Sequence, residues 1–253
     1  MAMKTPTLYL SLCTEFFDLD KPQACPQEYA FFRHYISKAT GPILEPMCGT
    51  GRYLIPYCEE GFEVEGFDAS PFMLNALYAK CKQKNLKPKV WEEFLENVLP
   101  TKLYNLIFIP DSSFCLFLQP DQIVIALQKI YNLLQPGGTF IFDVETVHAI
   151  PAKSGLWHGK AYKKEDGTTI ISSTLPLPIE NNIASVICRY ELMDKTEIIK
   201  TEMEYFQIRL YYPDELEQIL KTIGFSHVKQ IEAYDFHCSP SAQDYTVVFE
   251  CIK

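Results

Sequence analysis

The sequence predicts an α/β fold built on a doubly wound, mostly parallel seven-stranded sheet. Apolar strand candidates alternate with helix-compatible segments over residues 41–145. A turn holding Gly49 and Gly51 follows the first strand, and Asp68 ends the second strand. Strand, glycine turn, helix, strand and acid is the order in which a doubly wound sheet builds a nucleotide site at its carboxyl edge.

The first half of the chain supplies most of the sheet. Residues 1–25 are predicted to be irregular, because prolines recur there, and to lie across the site. A helix is predicted over 26–37, where a proline begins it and apolar residues share one face. Strands are predicted at 43–44, 62–67, 89–92, 103–109 and 139–144, and helices at 53–60, 71–84 and 121–134. Strands that alternate with helices imply a parallel sheet with right-handed crossovers.

The pattern changes from about Trp157. Segments rich in Ile, Thr, Val and Tyr, separated by short turn signals, predict consecutive hairpins at 168–177, 183–192 and 197–210. The earlier pattern then resumes, with a helix at 213–222 capped by Gly224 and strands at 226–233 and 245–251. The antiparallel block is therefore predicted to be an insert between strand five and the last helix, covering the carboxyl edge of the sheet.

These elements define the predicted domains. Residues 1–150 and 211–253 form the ligand-binding domain, with 1–25 as an amino-terminal lid segment, and 157–210 form an antiparallel β cap insert. A length of 253 residues and a hydrophobic content of 47% suit one large domain with a smaller insert.

Composition narrows the function classes. The net charge of −9 and the pI of about 5.1 disfavour nonspecific binding to nucleic acid. The nine cysteines are scattered singly, and no Cys-x-x-Cys pair or export signal occurs, so a reducing cytoplasm is predicted. The amino terminus is too short and too weakly apolar for export or membrane spanning. Five histidines without metal-ligand spacing predict no metal site.

The turn after the first strand favours one kind of nucleotide. A dinucleotide fingerprint requires a third glycine, where this chain has Leu54. A P-loop requires a Lys that Arg52 does not replace, because its spacing is wrong. Glu45, just before the turn, would repel a pyrophosphate but suits a cationic or zwitterionic ligand. The site is therefore predicted to take a nucleoside without phosphates.

Three motifs in order resemble those of class I S-adenosylmethionine (SAM) methyltransferases. Residues 45–52 read Glu-Pro-Met-Cys-Gly-Thr-Gly-Arg and resemble the family's first motif. Residues 66–74, Gly-Phe-Asp-Ala-Ser-Pro-Phe-Met-Leu, resemble its Gly-x-Asp-x-Ser-x-x-Met-Leu continuation. Residues 134–139, Leu-Gln-Pro-Gly-Gly-Thr, resemble the turn before its fifth strand. The resemblance implies a Rossmann-like methyltransferase fold of the small-molecule type, with an antiparallel cap.

The resemblance also implies a set of residues that bind SAM. Glu45 would meet the ammonium group of the donor, Asp68 the ribose hydroxyls, and Met73 the adenine ring. Glu93 and Phe94 are aligned with the adenine-binding positions, although Glu92 is only one register away. Arg33 is a candidate for the donor carboxylate. The full predicted set is Arg33, Glu45, Met47, Cys48, Gly49, Gly51, Arg52, Asp68, Ala69, Met73, Glu93, Phe94 and Asp111.

Catalytic candidates are fewer. Asp111 follows the fourth strand, where an acid could orient an amine or accept its proton, although Asp also favours turns without any ligand. His148 follows the fifth strand and is the second base candidate, because its ordinary pKa is near neutrality. Trp157, Tyr190 and Tyr234 could line an aromatic acceptor pocket or be core residues of the cap.

The amino-terminal segment departs from the family. Where relatives often have a Tyr-Asp pair, this chain has Phe17-Asp18, which removes the hydroxyl and any role that depends on it.

The predicted function is that of an enzyme, a SAM-dependent methyltransferase acting on a nitrogen or oxygen of a small-molecule acceptor. A non-catalytic SAM-fold binding or regulatory protein is the alternative from another class. An NAD-dependent oxidoreductase is disfavoured by Leu54 and Glu45. No nucleic-acid or membrane partner is predicted, and the oligomeric state stays open, with a homodimer as one option.

Overall fold

The computed structural model describes residues 8–149, 153–241 and 243–253. Its strands are β1 Ile43–Pro46, β2 Val64–Asp68, β3 Val90–Glu92, β4 Tyr104–Ile109, β5 Leu134–Glu145, β6 His158–Lys163, β7 Thr169–Pro176, β8 Ile183–Asp194, β9 Glu197–Arg209, β10 His227–Glu232 and β11 Thr246–Ile252. Its helices are α1 Ser11–Asp20, α2 Pro26–Lys38, α3 Leu54–Glu59, α4 Pro71–Gln83, α5 Pro120–Leu133 and α6 Pro213–Ile223.

The larger sheet has seven strands in the order β10-β11-β5-β4-β1-β2-β3. Strands β1 to β5 pair in parallel, whereas β11 runs antiparallel to both β5 and β10. The smaller sheet is antiparallel, in the order β6-β7-β8-β9, and lies in the chain between β5 and α6. The predicted fold class, a doubly wound sheet with an antiparallel insert, is confirmed.

Alternation along β5 shows how the sheet is buried on both faces. Phe140 and Phe142 belong to the hydrophobic cluster that includes α5 and α6, and Ile141 belongs to the cluster that includes α2, α3 and α4. Successive side chains of a strand point to opposite faces, so helices cover both sides. Asp143 lies two residues beyond Ile141, and so on the face covered by α2.

Three elements differ from the sequence-based expectation. The prediction that residues 1–25 are irregular is wrong for Ser11–Asp20, which form α1. The cap has a fourth strand, β6, that the hairpin pattern did not predict. Strand β5 begins at Leu134 rather than at residue 139, because Leu134 pairs with Tyr104 across a register shift. Residues 1–7 of the predicted lid lie outside the described residues.

The cap sheet and α1 share a third hydrophobic cluster. Leu12, Cys13 and Phe16 pack against Ile170 and Tyr190. The smaller sheet spans His158–Arg209, inside the range predicted for the insert. The division of the chain into a binding domain and a cap domain stays a prediction.

Gly66 lets β2 lie close to the glycine turn, and its substitution is expected to destabilise the fold. A Cβ atom there would lie 2.6 Å from Leu54 Cδ1 and 3.1 Å from Cys48 Cβ, both in buried side chains. We expect Gly66→Ala to lower the free energy of unfolding by about 1–3 kcal/mol, because the core is overpacked. Urea denaturation measures this change. Gly159→Ala is the matched control in a strand, since its Cβ would meet only ordinary contacts, the nearest at 3.4 Å.

None of the helices in the described residues combines the length and the apolar character that crossing a membrane requires.

Candidate active site

The carboxyl ends of the parallel strands open into a cavity of about 760 Å³. The glycine turn after β1 and the acid at the end of β2 line one part of it. The loop after β4 and the end of β5 line another part, and α1 and the inner face of β7, β8 and β9 complete the wall. In open α/β sheets, ligands bind at this edge.

The turn after β1 has the backbone shape that brings main chain close to a ligand. Met47 and Gly49 adopt left-handed conformations, with φ of 58° and 53°. A Cβ atom on Gly49 would meet only Met73 Sδ, at 3.9 Å, within 4 Å. Gly51 is also left-handed, but a Cβ atom on it would lie 2.9 Å from Ile55 Cδ1, so the absence of that atom makes room for Ile55. Gly51 therefore serves helix packing and does not line the cavity, whereas Met47, Cys48 and Gly49 do.

Asp68 is the acid at the tip of β2. Its Oδ2 accepts a hydrogen bond from the Gly49 N–H, and its Oδ1 accepts one from the Ser70 N–H, both at 2.8 Å. Ser70 caps α4 through its hydroxyl, which accepts from the Met73 N–H at 3.3 Å. Burial raises the pKa of Asp68, and the backbone donors oppose that rise. The carboxylate thus ties the glycine turn to α4 and lines the cavity.

Glu45 is a buried acid with one unpartnered oxygen, although the Leu54 N–H bonds to its carboxyl group. Its side chain is 2% exposed, and Oε2 has no hydrogen-bond partner among the described residues. Burial raises its pKa well above the ordinary value. An unpaired carboxyl group is costly to bury, so a ligand that supplies a cation would relieve this cost. Glu45 lines the cavity and fits the ammonium group of a zwitterionic ligand.

The residues that follow β3 line the part of the cavity where adenine is expected to bind. Glu93 and Phe94 line the cavity together with Met73 and Ala69, whereas Glu92 is exposed and does not. Glu93 Oε1 accepts a hydrogen bond from the Phe94 N–H at 2.9 Å. Between the two registers, the geometry favours Glu93 over Glu92.

The loop after β4 carries an ion pair beneath α1. The Arg52 guanidinium contacts the Asp111 carboxylate, and Arg52 Cζ lies 4.8 Å from the centre of the Phe17 ring. Asp111 and Ser112 are both left-handed, with φ of 57° and 52°. Two consecutive non-glycine residues in this conformation are uncommon and require surrounding contacts to hold them.

Two buried acids hold that loop, and the sequence analysis missed both. Asp143, at the end of β5, is fully buried, and its Oδ2 accepts from the N–H and the hydroxyl of Ser112, each at 2.7 Å. Glu28, on α2, accepts from the Asp111 N–H at 2.8 Å. Burial raises the pKa of both carboxyl groups. The available signal was an acid inside the apolar run of β5, because a buried charged group requires a hydrogen-bonding or charged partner.

Besides Gly51, three predicted residues do not line the cavity. Arg33 Nε donates to Glu60 Oε2 at 2.5 Å on the protein surface. His148 is exposed and does not line the cavity. Trp157 is 51% exposed and lies against Arg189. Tyr190 and Tyr234, in contrast, do line the cavity, as do Arg52 and Asp111.

The charged side chains of the cavity wall are mostly acidic. Among the described residues, two basic side chains line it, Lys21 and Arg52, against nine acidic ones. The acidic residues are Asp20, Glu45, Asp68, Glu93, Glu96, Asp111, Asp143, Glu145 and Glu204. Such a wall favours cationic ligands and opposes phosphates.

Helix α1 bridges the two sheets over the cavity. At its start, the Leu10 N–H donates to Glu204 Oε1 at 2.7 Å, and the Leu12 N–H donates to Glu202 Oε2 at 2.6 Å. Both acids belong to β9. Near the other end of α1, Asp18 Oδ1 accepts from Thr50 Oγ1 at 2.5 Å, beside the glycine turn, and from Lys80 Nζ at 2.9 Å.

The hydrogen bond that Glu202 accepts from the Leu12 N–H is expected to stabilise α1 measurably. We expect Glu202→Ala to speed amide hydrogen exchange in residues 11–20 about fivefold, because loss of a helix cap costs about 1 kcal/mol. Hydrogen exchange followed by mass spectrometry provides the measurement. Glu197→Ala, an exposed substitution on the same strand, is the control. Equal exchange in the two variants would contradict the proposed cap.

Comparison with known proteins agrees with this geometry. Residues 43–138 match the sequence profile of the methyltransferase domain family. Together with the fold, this match confirms the resemblance to class I SAM-dependent methyltransferases over residues 43–138.

Relatives and solved structures extend the likeness over most of the chain. The putative methyltransferase YqeM of Bacillus subtilis (strain 168) is 25% identical over 218 residues, which cover 84% of each chain. A SAM-dependent methyltransferase from Clostridium acetobutylicum ATCC 824 superposes with a TM-score of 0.77 at 18% identity, over 94% of this chain and 96% of the other. The sugar N-methyltransferase KedS8 from Streptoalloteichus sp. ATCC 53650 superposes with a TM-score of 0.75 at 14% identity, over 100% and 98%.

Proposed function

We propose that this protein transfers a methyl group from SAM to a nitrogen or oxygen atom of a small-molecule acceptor. The observation that carries the proposal is the unpartnered, buried Oε2 of Glu45 beside the glycine turn. Glu45 lies in a cavity whose charged side chains are mostly acidic and that also contains Asp68. A sulfonium nucleoside with an amino-acid tail supplies the positive charges that this cavity lacks.

The chain's own groups divide the binding of SAM among them. Glu45 would accept hydrogen bonds from the ammonium group, and Asp68 from the ribose hydroxyls. Glu93 and the Phe94 N–H hydrogen-bond to each other in this structure, and both would instead hydrogen-bond to the edge of the adenine ring. The bound donor supplies an activated methyl group, so the protein needs mainly to hold the acceptor in line and to manage its proton.

The cap supports a small acceptor. Helix α1 and the inner face of β7, β8 and β9 enclose the cavity at the side away from the parallel sheet. Such a cover excludes water from the reacting groups and leaves a confined acceptor space. The structural neighbour KedS8 is a sugar N-methyltransferase, which is consistent with an acceptor of this size. The cytoplasmic location and the oligomeric state stay predictions.

Calorimetry and turnover together test the proposal. Titration with SAM, S-adenosylhomocysteine and NAD separates the nucleotide classes, and we expect binding of the first two alone. Release of S-adenosylhomocysteine is then followed over a panel of amine- and hydroxyl-bearing metabolites. Turnover of a panel member supports the proposal. Binding of SAM without turnover favours a non-catalytic binding protein, and binding of NAD in place of SAM overturns the proposal.

A further inference from the structure

Asp143 is a buried acid of the cavity wall to which the proposed binding of SAM assigns no role. It lies at the carboxyl end of β5, next to the loop 110–113 that follows β4. Its side chain is 0% exposed, yet it is part of the cavity wall. A buried carboxyl group in a ligand cavity calls for a partner.

The two oxygens of Asp143 differ in their contacts. Oδ2 accepts two hydrogen bonds from Ser112, one from the N–H and one from the hydroxyl. Oδ1 has no partner among the described residues. The first oxygen fixes the orientation of the carboxyl group, so the second is held in place as a free acceptor.

Among the described residues, no basic side chain is bonded to Asp143. Glu28 approaches it from α2, Asp111 from the loop after β4, and Tyr234 from the segment after β10. Both described cations of the cavity wall face Asp111 instead: the Arg52 guanidinium contacts its carboxylate, and Lys21 Nζ lies 3.9 Å from its Oδ1. The ligand is therefore the source of positive charge that this group of residues lacks.

We infer that Oδ1 of Asp143 binds a protonated amine of the acceptor, so that the substrate class is a small primary or secondary amine rather than an alcohol. This inference rests on the proposed function and narrows it. An alcohol could donate one hydrogen bond to Oδ1, but it would leave the negative charge of the site uncompensated.

Asp143 also accounts for the proton that must leave the amine. An ammonium group has no free electron pair, so it cannot accept a methyl group until one N–H bond breaks. The electron pair of that bond stays on nitrogen, and the proton moves to the Asp143 carboxylate. Burial raises the pKa of this carboxyl group, which makes it a suitable proton acceptor. The proton then leaves to water after the product departs.

The far wall of the acceptor space suggests which amines to use as probes. Phe16, Tyr190, Phe206 and Ile208 give this wall apolar and aromatic surface, and Ser172 and Thr174 add hydroxyl groups. The probes are therefore matched pairs that differ only in amine or hydroxyl: benzylamine and benzyl alcohol, cyclohexylamine and cyclohexanol, glucosamine and glucose.

Calorimetry on the protein loaded with S-adenosylhomocysteine tests the inference. We expect at least one amine to bind at least about tenfold more tightly than its alcohol partner. Asp143→Asn should weaken amine binding about 30-fold, because it replaces a charge-assisted hydrogen bond, while alcohol binding stays the same. The asparagine carbonyl can keep the Ser112 contacts. Titration in two buffers of different ionisation enthalpy counts the protons exchanged, and that count should change in the variant.

Glu145→Gln is the comparator for charge alone, since it removes one carboxylate from the same cavity wall and should weaken amine binding less than about threefold. Equal binding of amine and alcohol overturns the inference, as does an Asp143→Asn effect below threefold, or the absence of binding by every amine. The wild-type comparison stands even where a variant fails to fold. Loss of S-adenosylhomocysteine binding itself would count against the proposed function, whereas its retention without amine binding removes only this inference.

Discussion

Asp68→Ala is expected to weaken the binding of S-adenosylhomocysteine by at least about 100-fold, measured by calorimetry. Two charge-assisted hydrogen bonds to the ribose would be lost, each contributing about 1.5–3 kcal/mol. The Gly49 and Ser70 N–H groups would also lose their shared acceptor, so the glycine turn would be held less firmly. Both the lost ribose hydrogen bonds and the looser turn would lower the affinity for S-adenosylhomocysteine.

A ligand lacking the 2′-hydroxyl separates the two effects. The wild type should prefer S-adenosylhomocysteine over its 2′-deoxy analogue, and Asp68→Ala should show little preference. A variant that weakens both ligands equally and keeps the preference would show that Asp68 only supports the turn. Urea denaturation of the ligand-free variant then measures how much Asp68 contributes to the free energy of unfolding.

Glu45→Gln is expected to weaken the binding of SAM by about 10- to 100-fold and to stabilise the ligand-free protein at alkaline pH. The affinity falls because the ammonium group loses its charged partner. The stability rises because glutamine cannot ionise in this buried place. Calorimetry and urea denaturation measure the two opposite effects, with the gain in stability expected to be about 1–2 kcal/mol near pH 8.

The pH dependence follows from the direction of the shift. Burial raises the pKa of Glu45 in the folded protein above its ordinary value of 4.5. The contribution of this group to stability is therefore fully present below about pH 4.5 and is lost as the pH rises through the folded-state pKa. The stability difference between Glu45→Gln and the wild type should grow with pH over that interval. A constant difference from pH 4 to pH 8 would contradict the assignment.

Local sequence predicted those parts of the fold that local interactions determine. The run from Glu45 to Arg52 and the acid at Asp68 were recognisable because a glycine turn and a strand-end acid are short-range features. Ser70 caps α4 shortly after that acid, and serine is a residue type that favours this position. The alternation of strands and helices likewise follows from periodicity that a short window contains.

Helix α1 shows why the rest was missed. Leu10, at its N-cap position, provides no side-chain hydrogen bond, and the first turn carries no acid. Its cap comes from Glu202 and Glu204, about 190 residues away in the chain. No local pattern predicts such a partner, so the segment looked irregular.

Asp143 and Arg33 illustrate the same limit at the site. Asp143 was hidden in an apolar strand, because its meaning depends on Ser112 and Glu28, which only the folded sheet brings near. Arg33 was a candidate for the donor carboxylate, with a surface arginine as the alternative, and in the structure it pairs with the surface acid Glu60. Which acid meets which base is decided by the tertiary structure.

The double attachment of α1 has a kinetic consequence. One ten-residue helix is bonded to β9 at one end and to Thr50 and Lys80 near the other, so α1 can leave the cavity wall only when both attachments break. We expect this side of the cavity to open less often than a loop with a single attachment would allow.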